Sequence, residues 1–415
     1  MHGDPRRSLN AVFVAMLGRI DLPVSPDAMT LAPALSRRSQ IAPFIAMDVM
    51  AEAGARIRAG EDVVSLAVGE PGAPPPRAVR EAVTAALAGG RVPYTDALGL
   101  PALRERIARH YRESYGVAVP ASRIAVTTGS SGGFILSFLS MFDVGDRIAI
   151  PKPGYPAYRN ILEALGLETV EIETAADTRF ALDPARIEAA HREKPLKGVL
   201  IMSPANPTGV MMTPAAIRDL AETCTRLGLW LISDEIYHGL TYDGETATAL
   251  AFSDDAVIVN SFSKYYCMTG WRVGWLILPE RLIRPVECLA QSLSISVPYL
   301  SQIAGIAAFD AREDLEVIKA GYAKNRAILM ERLPPLGFKL MPMDGAFYAY
   351  ADVSAFTNDS MDFSRRALRE AGVGITPGLD FDREEGHRAV RISYAGSESD
   401  ILKAVSRLEG WLGKR

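Results

Sequence analysis

The stretch from Gly198 to Tyr237 reads GVLIMSPANPTGVMMTPAAIRDLAETCTRLGLWLISDEIY. Short apolar runs at 198–202 and 229–232 predict two strands, and the segment 214–227 between them has the periodicity of a helix. Both strands are apolar throughout, which is typical of a sheet covered on both faces. A strand–helix–strand unit of this kind joins parallel strands by a right-handed crossover.

The same alternation continues on both sides of this unit. Further strands are predicted at 124–128, 146–150, 168–172 and 256–260, and helices at 131–141, 157–165 and 184–192. We therefore expect an α/β fold with a large domain over 76–312, built on a mainly parallel sheet flanked by helices.

The rhythm changes outside this region. Helices are predicted at 41–58, 313–333, 361–371 and 398–413, with a strand at 389–393. Residues 31–75 and 313–415 are therefore expected to form a smaller α+β domain, and residues 1–30 an N-terminal extension.

The composition argues against several classes of protein. A formal net charge of −4 with 23% charged residues predicts no basic surface for nucleic acid or an anionic membrane. No apolar run reaches membrane-spanning length, and the stretch 6–17 resembles an export signal only faintly because no small-residue cleavage site follows it. The three cysteines are widely separated, which is typical of a cytoplasmic protein without disulfides or a metal site.

Polar residues follow three successive predicted strands. Asn206 comes after 198–202, Asp234 and Tyr237 come after 229–232, and Lys264 comes after 256–260. Each alone is compatible with an ordinary turn or helix cap. Together they indicate one site, because ligands of a parallel sheet bind at the carboxyl ends of its strands. A lysine amine there can form a Schiff base with an aldehyde cofactor.

An anion-binding pattern accompanies the lysine. Gly129-Ser130-Ser131-Gly132-Gly133 ends a predicted strand and opens a helix, so its backbone N–H groups and hydroxyls suit a phosphate. Arg272 follows Lys264 by eight residues and adds positive charge. A reactive lysine beside a phosphate site predicts pyridoxal 5′-phosphate as the cofactor.

Four motifs in this order resemble those of a known family. They are Asn206-Pro-Thr-Gly209, Ser233-Asp-Glu-Ile-Tyr237, Ser261-Phe-Ser-Lys264 with Gly270-x-Arg272-x-Gly274, and Arg391-Ile-Ser-Tyr-Ala395. From about residue 35 onward the chain resembles the class I and II aminotransferases of the aspartate aminotransferase superfamily, which are fold type I pyridoxal phosphate enzymes.

The resemblance implies a role for each matching residue. Lys264 would carry the cofactor and move a proton at the substrate Cα, Asp234 would keep the ring nitrogen protonated, and Tyr237 would bond the ring oxygen. The other residues implied at the cofactor are Gly129, Ser130, Ser131, Tyr155, Asn206, Ser261, Ser263 and Arg272. The substrate would be bound by Arg391, Gly69 and Asn206. Tyr94 would reach the phosphate of a neighbouring subunit, which implies a homodimer.

The chain also departs from the family pattern. Gly72 stands where an acidic residue is usual, and Asp382 where glycine is usual. The stretch 286–302 contains no Arg or Lys, so one route to a second substrate carboxylate is missing, and Lys152, Arg37 or Arg38 are the alternatives. Apolar and aromatic residues expected around the pocket, at 41–44, Tyr155, 293–300 and Phe347, favour neutral or aromatic amino acids.

The leading hypothesis is an aminotransferase that exchanges an amino group between an α-amino acid and a 2-oxo acid by a ping-pong mechanism. A pyridoxal-phosphate carbon–sulfur β-lyase stays open as the alternative, because it uses the same lysine, aspartate and arginine. A cofactor-sensing regulator is disfavoured because residues 1–30 are too few for a DNA-binding module. A nicotinamide dehydrogenase is disfavoured because no G-x-G-x-x-G follows a predicted strand.

Overall fold

The computed structural model describes residues 34–174 and 178–413. Its α-helices are α1 (Ile45–Arg58), α2 (Arg77–Ala88), α3 (Pro101–Tyr115), α4 (Gly129–Met141), α5 (Pro156–Leu165), α6 (Pro184–Glu193), α7 (Pro214–Leu227), α8 (Glu280–Leu293), α9 (Tyr299–Ala308), α10 (Arg312–Arg332), α11 (Ser360–Arg366) and α12 (Glu398–Leu412). Its strands are β1 (Val64–Ser65), β2 (Ile124–Thr127), β3 (Arg147–Lys152), β4 (Glu168–Glu173), β5 (Gly198–Met202), β6 (Trp230–Asp234), β7 (Val257–Ser261), β8 (Gly274–Ile277), β9 (Lys339–Leu340), β10 (Tyr348–Asp352), β11 (Val373–Gly374), β12 (Thr376–Pro377) and β13 (Ala389–Ser393).

The main sheet has seven strands in the order β2-β8-β7-β6-β5-β3-β4. From β7 to β4 every neighbouring pair is parallel, whereas β8 runs antiparallel to both β2 and β7. The prediction of a mainly parallel sheet flanked by helices is therefore confirmed. The strands β5, β6 and β7 are direct neighbours, so their carboxyl ends lie side by side.

Both faces of this sheet are covered. Along β5, Leu200 and Met202 belong to one hydrophobic core, while Val199 and Ile201 belong to the other. Alternate residues of a strand point to opposite faces, so a strand that feeds two cores must be apolar at every position. Polar side chains of these strands are consequently concentrated at the strand ends.

Two smaller sheets complete the described chain. The strands β12, β13, β10 and β9 form an antiparallel sheet, and β1 pairs in parallel with β11. Both lie with the main sheet in one compact unit, Gln40–Arg415. The predicted division into domains at residues 75 and 312 stays a prediction, and the predicted extension 1–30 lies outside the described residues.

Several element bounds differ from the predictions. The helix expected from residue 41 begins at Ile45, and α4 begins at Gly129 rather than at 131. The strand β8 and the helices α8 and α9 were not predicted. Within the described ranges, no helix is both long and apolar enough to cross a membrane.

Candidate active site

A cavity of about 440 Å³ opens where β5, β6 and β7 end. The parallel arrangement of these strands brings their terminal residues to one edge of the sheet. Most of the predicted site residues line this cavity, namely Gly69, Ser130, Ser131, Tyr155, Asn206, Asp234, Tyr237, Ser263, Lys264, Arg272 and Arg391. Residues separated by most of the chain thus share one space.

Lys264 lies in the turn after β7. Its Nζ donates a hydrogen bond to the carbonyl oxygen of Gly69 at 2.6 Å. Burial, helped by the positive charge of Arg391, lowers the pKa of the amine to about 8. A large fraction of the amine is therefore neutral near pH 8, and the neutral form is the nucleophile.

Asp234 is the last residue of β6 and is 1% exposed. Its Oδ1 accepts a hydrogen bond from the backbone N–H of Ile236 at 3.1 Å, and its Oδ2 accepts one from the hydroxyl of Tyr158. Burial nevertheless raises the pKa of the carboxyl to about 7. A cation placed against this group would favour its ionised form.

Two tyrosines meet at the centre of the cavity. The hydroxyl oxygens of Tyr237 and Tyr348 are 2.6 Å apart and share a hydrogen bond. A Cβ atom built on Gly69 would lie 1.7 Å from the Tyr348 hydroxyl oxygen. Glycine is therefore required at position 69 for this arrangement of the tyrosines.

Arg391, on β13, presents its guanidinium to the cavity from the smaller sheet. The group lies 4.4 Å from the ring centroid of Tyr348 and 4.7 Å from that of Phe381. Its Nη1 donates to Asn206 Oδ1 at 2.8 Å and its Nη2 to the carbonyl of Ala67 at 2.6 Å. Its buried Nε has no hydrogen-bond partner among the described residues. A guanidinium fixed by two rings suits a carboxylate ligand.

Another part of the cavity has the groups of an anion-binding site. Ser130 and Ser131 lie in the first turn of α4, and Ser263 and Arg272 line the same space. Gly129 has a φ of +69°, and a Cβ there would lie 2.5 Å from Arg272 Nη2. The missing side chain lets the guanidinium lie against the helix N-terminus, where backbone N–H groups favour negative charge.

Three predicted site residues do not line the cavity. Gly129 lies behind Arg272, as described above. The hydroxyl of Ser261 bonds the hydroxyl of Ser263 at 2.9 Å and the carbonyl of Val273 at 3.0 Å, so it supports Ser263 from behind. Tyr94 is 79% exposed and lies outside the cavity. Its predicted contact with a neighbouring subunit stays a prediction.

The structure also corrects the expected walls of the pocket. Tyr348, the first residue of β10, lines the cavity, whereas Phe347, in the turn before β10, is buried and does not line it. The loop 293–300 does not contribute to the lining. Lys152 forms an ion pair with Glu384 at 2.6 Å and is absent from the lining.

Sequence reasoning missed Tyr158 and Tyr348. Tyr155 is the N-cap residue of α5, and Tyr158 follows it by three residues in the first turn of the helix. Their rings are in edge contact, with centroids 5.3 Å apart. That spacing was a usable signal for Tyr158. For Tyr348 no comparable signal exists, because the face that a strand residue occupies depends on the register of the sheet.

Comparisons with known proteins agree with this geometry. The chain matches the family Aminotransferase class I and II over residues 61–408. It is 48% identical over 380 residues to valine–pyruvate aminotransferase of Mycobacterium tuberculosis, covering 90% of this chain and 97% of that protein. It is 33% identical over 386 residues to aspartate/prephenate aminotransferase of Thermus thermophilus, covering 92% of this chain and 99% of that protein.

Solved structures give the same result. An aminotransferase from Mycobacterium tuberculosis matches with a TM-score of 0.90 and 46% identity, covering 92% of this chain and 100% of that chain. Aspartate aminotransferase from Thermus thermophilus with maleate matches with a TM-score of 0.86 and 33% identity, covering 91% and 99% of the two chains.

The fold and the lysine-centred cavity define a fold type I transferase. The chain belongs to the aminotransferase class I and II family, and it is an aminotransferase. The family implies pyridoxal phosphate as the cofactor. The relatives named above are aminotransferases, so the comparisons do not favour the β-lyase alternative.

Tyr158→Phe tests the link between Tyr158 and Asp234. The substitution removes the hydroxyl that donates to Oδ2 and keeps the ring. Losing a donor to the charged form raises the pKa of Asp234 above about 7, so its carboxylate forms only at higher pH. We expect kcat/KM to fall about 10-fold near pH 7 and the acid limb of its pH profile to move upward, as steady-state kinetics will measure.

Tyr111→Phe is the matched control. The Tyr111 hydroxyl donates to Glu235 Oε2 at 3.2 Å, and Glu235 is the carboxylate next to Asp234 but does not line the cavity. This variant should lose similar stability and keep the wild-type acid limb. Equal pH profiles for both variants would show that the Tyr158 hydrogen bond does not tune the site.

Proposed function

We propose that the cavity binds pyridoxal 5′-phosphate at Lys264 and that the enzyme exchanges an amino group between an α-amino acid and a 2-oxo acid by a ping-pong mechanism. The observation that carries this proposal is a buried lysine amine of lowered pKa that shares one cavity with Asp234 and Arg391. When bound, the cofactor supplies an aldehyde that bonds covalently to an amine and a ring that withdraws electrons from the adjoining carbon.

The residues present fit this cofactor. Ser130 and Ser131 at the start of α4, together with Ser263 and Arg272 in the segment between β7 and β8, suit its phosphate. A buried carboxylate whose pKa has risen to about 7 suits a ring nitrogen that carries a proton, because the two charges stabilise each other. Tyr155, in edge contact with Tyr158, lines the cavity and offers an aromatic surface to the ring.

Each protein group then has a separate task. Lys264 Nζ would hold the cofactor in the resting enzyme, and its amine, when free, would accept the proton from the substrate Cα. Asp234 would be ionised against the ring nitrogen and would help to stabilise negative charge that develops at the Cα. Tyr237 and Asn206 are placed to bond the ring oxygen, with Tyr348 fixing the Tyr237 hydroxyl.

Arg391 is proposed to bind the substrate carboxylate. Two aromatic rings and the hydrogen bond to Asn206 hold its guanidinium in place, so little side-chain entropy is lost when a ligand binds. Gly69 lies next to Lys264, because its carbonyl oxygen accepts a hydrogen bond from Lys264 Nζ. We therefore expect the reacting carbon to lie between Arg391, which binds the carboxylate, and Lys264, which moves the proton.

The remaining wall supports a neutral, apolar donor side chain. Phe44, Met47, Met50 and Ile236 line it, and among the described lining residues the cations are Lys264, Arg272 and Arg391. All three cations have other tasks, so a second substrate carboxylate has no dedicated partner. The relative named valine–pyruvate aminotransferase supports valine and pyruvate as the first pair to test.

We also propose a homodimer in which Tyr94 serves the neighbouring site. Four apolar side chains on two segments are at least half exposed: Val92, Tyr94, Leu293 and Ile295. The Thr95 N–H bonds the Ser296 hydroxyl at 3.3 Å, so the two segments adjoin. An exposed apolar group of this kind supports contact with a second copy.

Mixing two inactive variants tests this arrangement. Tyr94→Ala lacks the proposed reach to the partner, and Lys264→Ala lacks the amine. If Tyr94 acts across the interface, a hybrid dimer contains one complete site, so statistical mixing restores about a quarter of wild-type activity at limiting cofactor. Sedimentation of the wild type should give twice the chain mass. A monomer, or a mixture without restored activity, would contradict the proposal.

Lys264→Ala tests the centre of the mechanism. Borohydride treatment of the wild type should attach the cofactor to Lys264, as peptide mapping will show, and the variant should take up no covalent cofactor. Its conversion of cofactor by amino acids should fall about 10²- to 10⁴-fold, since the proton acceptor is missing. Absorbance spectra of the half-reaction measure this loss.

Lys152→Ala is the matched control, because Lys152 pairs with Glu384 and does not line the cavity. It should keep the wild-type spectrum and rate. Cofactor attached at another residue would overturn the proposal. Release of pyruvate and sulfide from cysteine without any 2-oxo acid, together with no half-transamination, would favour the β-lyase instead.

The lowered pKa of Lys264 predicts a pH dependence. Only the neutral amine attacks an aldehyde, so the rate of cofactor attachment to the stripped enzyme should rise with pH and level off above about 8. Arg391→Gln removes a positive charge that lowers the pKa of Lys264, so the midpoint should move to higher pH. Stopped-flow absorbance measures both profiles, and equal midpoints in the two proteins would contradict the prediction.

A further inference from the structure

The start of α1 forms one wall of the active-site cavity. Phe44, Ala46, Met47 and Met50 all line it. Phe44 is the N-cap residue and provides no side-chain acceptor for the first turn of the helix. A helix leaves its first N–H groups without internal partners, so this wall depends on acceptors from elsewhere.

Asp380 supplies these acceptors, although it follows Ile45 by 335 residues in the sequence. Its Oδ1 accepts from the backbone N–H of Ile45 and its Oδ2 from that of Ala46, both at 3.0 Å. The residue is 2% exposed. Both oxygens of a buried carboxylate are therefore used to hold the first turn of α1, with its charge favourably placed at the helix N-terminus.

The loop that carries Asp380 also contacts the rest of the site. The ring of Phe381 lies against the guanidinium of Arg391, and the Phe381 carbonyl accepts from the Gly154 N–H at 3.1 Å. The Asp380 carbonyl accepts from Arg159 Nη2 at 3.3 Å. Gly154 and Arg159 flank the start of α5, so the loop 378–382 connects the α1 wall to both Arg391 and the segment that carries Tyr155.

We propose that Asp380 is a positioning residue that sets the preference for the donor side chain by fixing the α1 wall relative to Arg391. The inference rests on the proposed function, in which Arg391 binds the donor carboxylate. A donor bound there places its side chain in the remaining space, where Phe44, Met47 and Met50 supply apolar contact. A displaced wall costs a larger apolar side chain more contact than it costs a methyl group, because the contact energy grows with buried area.

The test compares Asp380→Ala and Asp380→Asn with the wild-type holoenzyme, using alanine, valine and phenylalanine as donors and pyruvate or 2-oxoglutarate as acceptor. The ratio of the KM for valine to that for alanine should rise about five-fold in Asp380→Ala, because a displaced α1 wall loses contact with the additional methyl groups of valine. Asp380→Asn keeps one acceptor oxygen, so its KM ratio should lie between that of the wild type and that of Asp380→Ala. The kcat with alanine and the affinity for the cofactor should change little, since Lys264 and Asp234 are untouched.

Asp359 provides a matched control elsewhere in the chain. Its Oδ1 caps α11 by accepting from the backbone N–H groups of Met361 and Asp362, both at 3.0 Å, and it does not line the cavity. Asp359→Ala should lower the free energy of unfolding by a similar amount and leave the KM ratio at the wild-type value. A change in stability alone therefore cannot produce the expected result.

The outcomes separate the two proposals. An active wild type with an unchanged KM ratio in both Asp380 variants overturns the positioning role alone, as does an equal shift in Asp359→Ala. A wild type that transaminates no amino acid overturns the proposed function, and this inference with it. If Asp380→Ala fails to fold, Asp380→Asn, which preserves the size of the side chain, gives the same comparison.

Discussion

The parallel pairing of β5, β6 and β7 is the constraint on which the site depends. It aligns Met202 with Asp234 and Asp234 with Val259, so that Asn206 and Lys264 follow at the same edge of the sheet. The apolar strands fix this register because alternate residues must fill two different cores. A polar residue inside the strands needs a partner within a core, as Ser233 has in Glu235, so most of the polar side chains lie where the strands end.

Burial gives the site its electrostatic character. It lowers the pKa of the Lys264 amine and raises that of the Asp234 carboxyl, so it disfavours the charge on both. The two groups form no ion pair with each other among the described residues, and Lys264 bonds a backbone carbonyl instead. A ligand that carries both an electrophilic carbon and a protonated nitrogen suits both groups. The carbon can react with the Lys264 amine, and the nitrogen can pair with the Asp234 carboxylate. Because Lys264 and Asp234 do not pair with each other, the lysine amine stays available as a nucleophile.

The elements that were predicted correctly share a physical reason. β5, α7 and β13 have the predicted bounds because their pattern and their end signals agree locally. α8 contains Pro285 and α9 follows Pro298, and proline disfavours a helix interior, so the local helix signal is weak there and tertiary contacts support both helices. The short strand β8 was missed because its apolar residues, 275–277, follow the Arg272 motif directly, without the helix that separates the predicted parallel strands from one another.

The site was predicted where motifs mark strand ends and missed where contacts are set by packing. Lys264, Asp234, Asn206 and Arg391 could be named from the sequence because the resemblance rests on them. The face occupied by Tyr348 follows from the register of β10 against β13, which the sequence does not specify. Contacts such as that between Asp380 and Ile45 join the two ends of the chain and have no local signal at all.

This division also separates chemistry from specificity. The residues proposed to hold and activate the cofactor come from the middle of the chain and from the ends of one rigid sheet. The residues proposed to recognise the donor come from α1, β13 and the loop 378–382, near the two ends of the described chain. We expect a change in the residues that recognise the donor to displace the α1 wall while Lys264 and Asp234 stay in place. Two relatives of this chain are named valine–pyruvate aminotransferase and aspartate/prephenate aminotransferase, so the names within this family differ in the substrates they give. The α1 wall is attached through the Asp380 cap and through packing on β1, β11 and β12, all outside the main sheet. We therefore expect it to shift without disturbing β5, β6 and β7, which would give the variation in donor a structural cause.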